Sequence, residues 1–168
     1  MLQKIDPKTL TMNPFTLIGD QWLLITAGTP EHCNTMTASW GGVGVMWAEP
    51  SATCYIRPQR YTKEFVDNND YFTLFFFDES YRKALNLCGS TSGRDVDTIK
   101  ECGFTVQAGA GNAPSFAEAA LVLVCKKRYV QPMKPECFTD ETIDGKFYPQ
   151  KDYHVMYIGQ IVEAYQKG

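Results

Sequence analysis

The chain has 168 residues, 44% of them hydrophobic and 21% charged, with a formal charge of −3. That size supports one domain, expected to span residues 1–168 and able to bury roughly 70% of its unfolded surface without a metal or disulfide staple. The mild acidity offers no basic face for nucleic acid; the first residues lack a signal-peptide core, and no apolar run is long enough to cross a bilayer, so a cytoplasmic protein is expected.

After a turn-rich opening with Pro7, Asn13 and Pro14, the apolar run Trp22–Gly28 predicts a buried strand, closed by a turn at Gly28, Thr29 and Pro30. Asn34 to Trp47 predicts a second strand, bent at Gly41, Gly42 and Gly44. Its first part, Asn34-Thr35-Met36-Thr37-Ala38-Ser39-Trp40, sets small polar hydroxyls and an amide against one large aromatic, a poor composition for a core. Such a strand suits close approach by a flat, polar-edged ligand, and equally suits an ordinary strand with a glycine bulge. Ala52–Arg57, between Pro50 and Pro58, predicts a third strand, and the short turns make antiparallel pairing the default.

The segment Arg57 to Phe65 predicts a helix over Lys63–Asn69 with Thr62 as its N-cap and Phe65 and Val66 facing the core. Arg57 and Arg60 would then stand just upstream of a helix N-terminus, an arrangement that suits a phosphate or, alternatively, surface ion pairs. Tyr71–Phe77 is aromatic on both faces and predicts a strand covered on both sides. Tyr81, Ala84, Leu85 and Cys88 recur at helical spacing and predict an amphipathic helix ending at Gly89. In the loop Gly89 to Asp95, Asp95 is the expected cap of a helix carrying Val96, Ile99 and Cys102. Ser90, Thr91, Ser92, Gly93 and Arg94 just before it are donors suited to a phosphate or the edge of a ring.

Thr105–Ala108 predicts a strand, and the glycines at 109 and 111 fail the dinucleotide fingerprint because no third glycine and no long helix follow. Ala120–Cys125 opens a long strand continuing to Val130, with Lys126, Lys127 and Arg128 as its solvated end. Residues 131–152 predict an irregular excursion, and Tyr153–Val162 the last strand, on which His154 reads as a hydrogen-bonded structural residue or a catalyst. The six cysteines are scattered without a CxxC pair, which favours reduced thiols and argues against a metal site; Cys54 and Cys125 fall in apolar runs as small buried residues.

Six or seven strands with two or three short helices argue for a mainly β fold, a closed antiparallel barrel with helical additions. The motifs NTMTASWGG, RPQRYTKEF, CGSTSGRD and DYHVMYIGQIV, in that order, resemble the flavin reductase-like FMN-binding split-barrel family, particularly its flavoredoxin-like branch, from about Pro14 to Val162. The resemblance implies a homodimeric antiparallel split β-barrel with FMN near the subunit interface. It places Asn34, Thr35, Met36, Thr37, Ala38, Ser39 and Trp40 along the isoalloxazine, Arg57, Arg60, Tyr61 and Thr62 at the phosphate, and Ser90, Ser92, Gly93 and Arg94 on the opposite side of the pocket. It also places His154 near the flavin or nicotinamide, although Asp152-Tyr153-His154 replaces the usual Gly-Asp-His and Thr98 stands where many relatives carry lysine. The activity implied is NAD(P)H-dependent flavin reduction, with electrons passed to an acceptor that can be another protein. The alternatives are an FMN-bound electron carrier without NAD(P)H activity and a flavin-free binding barrel.

Overall fold

Side chains that alternate in character force a sheet with two different faces, and the chain places a separate core on each. The computed structural model describes residues 1–168. Its strands are β1 (Leu2–Ile5), β2 (Leu23–Thr29), β3 (His32–Ala38), β4 (Gly41–Met46), β5 (Glu49–Ile56), β6 (Tyr71–Phe76), β7 (Val106–Ala108), β8 (Pro114–Phe116), β9 (Leu121–Pro132) and β10 (Val155–Lys167). The helices are α1 (Pro14–Gly19), α2 (Tyr61–Asn68), α3 (Arg82–Ser90), α4 (Thr98–Glu101) and α5 (Glu141–Phe147).

The main sheet runs β3-β2-β6-β9-β10-β5-β4, with β1 also on β10, and β7 and β8 form a separate ribbon. Every pairing is antiparallel. The edge strands β3 and β4 are joined by Ser39 and Trp40 alone. Three residue steps reach about 11 Å, whereas the edges of a flat seven-strand sheet would lie roughly 29 Å apart. The sheet therefore curls until its edges meet at that corner without pairing, which makes it a split barrel.

The barrel interior takes alternate residues: Leu23, Ile25 and Ala27 from β2, Phe72, Leu74 and Phe76 from β6, Leu121, Leu123 and Cys125 from β9, and Tyr157 from β10. Phe65 and Val66 of α2 join this core, as their sequence positions predict. The intervening residues Leu24, Phe75, Val122 and Val124 point outward into a second core with Leu85, Ile99, Phe104 and Phe116. There the Phe75 and Phe116 rings stack at 4.4 Å and those of Phe104 and Phe116 at 4.8 Å. The strand at Tyr71 is thus covered on both sides, as its aromatic content predicts. On β10 the register slips at Ile158/Gly159. A Cβ on Gly159 would stand 2.7 Å from Phe72 ring carbons and 2.8 Å from Cys125 Cβ, so only glycine lets β10 pass over the packed interior there.

Several local expectations are corrected. The strand expected from Asn34 to Trp47 is two strands, interrupted at Ser39 and Trp40 because the chain there turns the barrel's corner. The helix after Arg60 starts at Tyr61, and Thr62 lies inside it; buried, it accepts a hydrogen bond from Asn34 Nδ2 at 2.8 Å instead of capping. Asp97 replaces Asp95 as the cap of α4, accepting from the Lys100 N–H, and that helix is one turn long. Lys126, Lys127 and Arg128 lie in the middle of β9, where Lys127 donates to the Val66 and Asp67 carbonyls and so ends α2. The opening segment contains β1 and α1, and the excursion at 131–152 carries α5. All six cysteines are free thiols, and Cys54 and Cys125 are buried.

Candidate active site

Because β3 pairs only with β2, one of its edges keeps backbone donors and acceptors that no strand satisfies. Three adjoining cavities run beside it. One of about 280 Å³ is bordered by Met36, Thr37, Ala38, Ser39, Trp40, Tyr55, Arg57, Arg60 and His154. A second, about 200 Å³, shares Met36 and Arg60 and is lined by Asn34, Thr35, Gln59, Tyr61, Thr62, Cys88, Ser90, Thr91, Ser92 and Gly93. A third, about 290 Å³, lies over Thr37, Ala38 and Ser39 against Trp22, Leu85, Asn86, Gly89 and Ser90. The structure therefore gathers fourteen of the fifteen pocket positions singled out in the sequence, and His154, around one edge. The largest cavity, about 580 Å³, lies elsewhere, between Leu10, Leu17, Phe77 and Leu121, and none of those residues lines it.

The two faces of β3 have different duties. Asn34 pairs across from Ala27, and Met36 and Ala38 pack on the barrel interior. Thr35 and Thr37 face outward: Thr35 Oγ1 bonds Thr26 Oγ1 at 2.7 Å, and Thr37 Oγ1 donates to the Leu85 carbonyl of α3. These hydroxyls hold the wall in place, so the open hydrogen-bonding groups of the slot are mainly backbone. A Cβ on Gly93 would lie 1.8 Å from Asn34 Oδ1, so the loop after α3 can reach the strand only with glycine there.

The arginines part company. Arg57 forms an ion pair with Asp152 at 2.9 Å, donates to the Phe147 carbonyl at 3.0 Å and lies over the Tyr148 ring at 5.0 Å. It ties α5 to the barrel. Arg60 spans the two cavities and donates to the carbonyls of Gly89 and Cys88 at 3.1 and 3.3 Å; burial lowers its pKa. No side chain caps α2; the Lys63 N–H bonds the Arg60 carbonyl at 3.0 Å, and the Tyr61 and Thr62 N–H groups at the start of the helix remain open beside Arg60. Arg94 is outside all three cavities: it pairs with Glu64, donates to the Gln59 carbonyl and covers the Tyr61 ring at 4.6 Å. An opposite charge on the neighbouring helix drew it to the surface.

His154 precedes β10 and is buried, its ring 5.0 Å from that of Trp40. Burial first, then the charge of Arg57, holds its pKa down at about 4. It is a neutral imidazole at physiological pH. Nδ1 lies 2.8 Å from the hydroxyl of Tyr148. Sequence reasoning missed Tyr148, because no local pattern marks the residue after α5 as the partner of His154, six residues on across an irregular segment. It also missed Tyr55, whose position two residues before Arg57 on an extended segment was the available signal.

Comparison with known proteins agrees with the fold. No curated protein sequence matches the chain. Solved structures share its fold: the FMN-binding domain of a flavin reductases-like enzyme from Shewanella baltica OS155 has a TM-score of 0.69 at 17% identity, covering 99% of this chain and 77% of that one. A flavoredoxin from Methanosarcina acetivorans has 0.68 at 23%, with 88% and 68% covered. The NADH:FAD oxidoreductase of Streptomyces globisporus C-1027 in complex with NAD and FAD fragments has 0.65 at 16%, with 88% and 74% covered. The family model described as the flavin reductase like domain matches residues 17–168, so the chain belongs to the flavin reductase-like family.

Proposed function

We propose that this chain is an FMN-binding oxidoreductase that takes a hydride from NAD(P)H and passes electrons to an acceptor. The observation that carries the reading is the row of cavities along the unpaired edge of β3, running from Trp40 and His154 to the open N-terminus of α2. Their volumes fall in the range of roughly 300–1,000 Å³ typical of small-ligand sites when taken together. An amide-edged wall, a glycine that permits close approach and an arginine at a helix start are the donors a ring with a phosphate tail needs.

In this reading Asn34, Thr35, Met36, Thr37, Ala38, Ser39 and Trp40 form the wall along the isoalloxazine. Arg60, Tyr61 and Thr62, with Ser90, Ser92 and Gly93, hold the phosphate end. Arg57 and Arg94 act one step back, the first by holding α5 and the second by holding the loop against α2. FMN, when bound, supplies the hydride-accepting and electron-passing chemistry. The protein has to orient the ring and keep water from one face, and it needs no acid–base triad.

The same reading makes the molecule one cytoplasmic domain that acts as a homodimer. The exposed apolar side chains Val45, Met46, Trp47 and Tyr129 supply the surface a second copy would cover. Anaerobic mixing of protein, FMN and NADH or NADPH should bleach the flavin band within the turnover time. Failure with both nucleotides, while dithionite still bleaches it, would leave an electron carrier in place of a reductase; absence of any FMN fluorescence quenching would leave a flavin-free barrel.

A further inference from the structure

Tyr148 is 3% exposed, and a phenylalanine would fill the same volume. A buried hydroxyl is costly unless it is used. Its nearest acceptors are His154 Nδ1 at 2.8 Å and Met133 Sδ at 3.5 Å, and a thioether is much the weaker of the two. Of the two acceptors in reach of the phenol proton, Nδ1 is both the nearer and the stronger. The neutral ring must then carry its proton on Nε2.

The tyrosine is itself held. It follows α5, its N–H bonded to the Asp144 carbonyl, and its ring lies under the Arg57 guanidinium at 5.0 Å and edge-on to His154 at 5.6 Å. The groups that face the imidazole are Tyr148 from the α5 side, Arg57 after β5 and Asp152 before β10, with Tyr55 and Arg60 across the cavity. None offers a second acceptor to Nδ1–H.

We propose that Tyr148 is a positioning residue that fixes His154 as the Nε2–H tautomer, making it a neutral hydrogen-bond donor to a carbonyl oxygen of the ring bound beside Trp40. That oxygen belongs either to the flavin pyrimidine or to the carboxamide of a nicotinamide. The binding half rests on the flavin reading given above; the tautomer half concerns the protein alone.

Long-range proton–nitrogen NMR spectra of the ligand-free protein at pH 7 test the first half without any variant. The expected result is His154 in the Nε2–H form; an Nδ1–H form or a doubly protonated ring would overturn the proposal. In Tyr148→Phe the two tautomers should mix and the His154 pKa should rise, and an unchanged tautomer would equally count against it. FMN titration and the KM for NADH or NADPH then separate the two oxygens. About a tenfold loss of FMN affinity in Tyr148→Phe and His154→Leu, with KM unchanged, assigns the flavin carbonyl; the same loss in KM alone assigns the carboxamide. No change in either, in protein whose wild type binds FMN, refutes the donor role. A wild type that binds no FMN refutes the flavin reading and leaves the tautomer result standing.

Discussion

Gly93 and the two arginines show how closely neighbouring residues can divide one task. An alanine Cβ at 93 would enter the space of Asn34 Oδ1, whose amide donates to Thr62 at 2.8 Å. Gly93→Ala should therefore break a buried hydrogen bond, lower stability by roughly 1–3 kcal/mol and weaken FMN about tenfold, as checked by thermal denaturation and fluorescence titration. Arg60 reaches two of the cavities, whereas Arg57 borders one and is engaged by Asp152 and the Phe147 carbonyl. Arg60→Ala should weaken FMN far more than riboflavin, and Arg57→Ala should weaken both alike; comparison of the two ligands in each variant decides. His154 adds a pH signature. Its folded pKa of about 4 lies below the ordinary 6.5, so between those values the unfolded chain binds a proton that the native one refuses. Stability should fall as pH drops from 6.5 to 4, by on the order of 2 kcal/mol, and His154→Asn should flatten that part of a melting-temperature profile.

Among the elements, α2 matters out of proportion to its eight residues. Its inner face, Phe65 and Val66, plugs the barrel, its start opens beside Arg60, and its end is closed by Lys127 from β9. Lys127→Met should cost about 1 kcal/mol through the two carbonyls it leaves to water, measured by chemical denaturation. The helix lengths explain where sequence reading missed. Asp95 and Asp97 are both good caps, and local chemistry could not choose between them; Asp97 prevails because Thr98 and Ile99 must be buried against the second core. Thr62 is a good cap too, but the buried Asn34 amide needs an acceptor more than the helix needs a cap.

At the scale of the whole molecule, the barrel is split because its two edges meet at Ser39 and Trp40 without pairing. The outer surface near β4 exposes Val45 and Trp47, with Trp47 and Tyr129 ring centroids 6.4 Å apart. Val45→Asp with Trp47→Asp should turn a dimer into a monomer without loss of fold, as judged by sedimentation and circular dichroism. A wild-type chain that is already monomeric at micromolar concentration would refute the dimer.

The aromatic run Tyr71–Phe77, the glycine punctuation of β3 and β4, and the polar composition from Asn34 to Ser39 are properties of neighbours along the chain. From them the antiparallel β class could be read, and the Asn34–Ser39 strand as suited either to a ligand wall or to an ordinary strand with a glycine bulge. What only the folded chain decided is which polar groups remain open. Arg57, Arg60 and Arg94 look alike in a sequence, and their partners Asp152, Gly89 and Glu64 lie 95, 29 and 30 residues away. The pairing of Tyr148 with His154 likewise depends on where α5 lands. Charge and hydrogen-bond pairing act through space, and chain order carries little record of them.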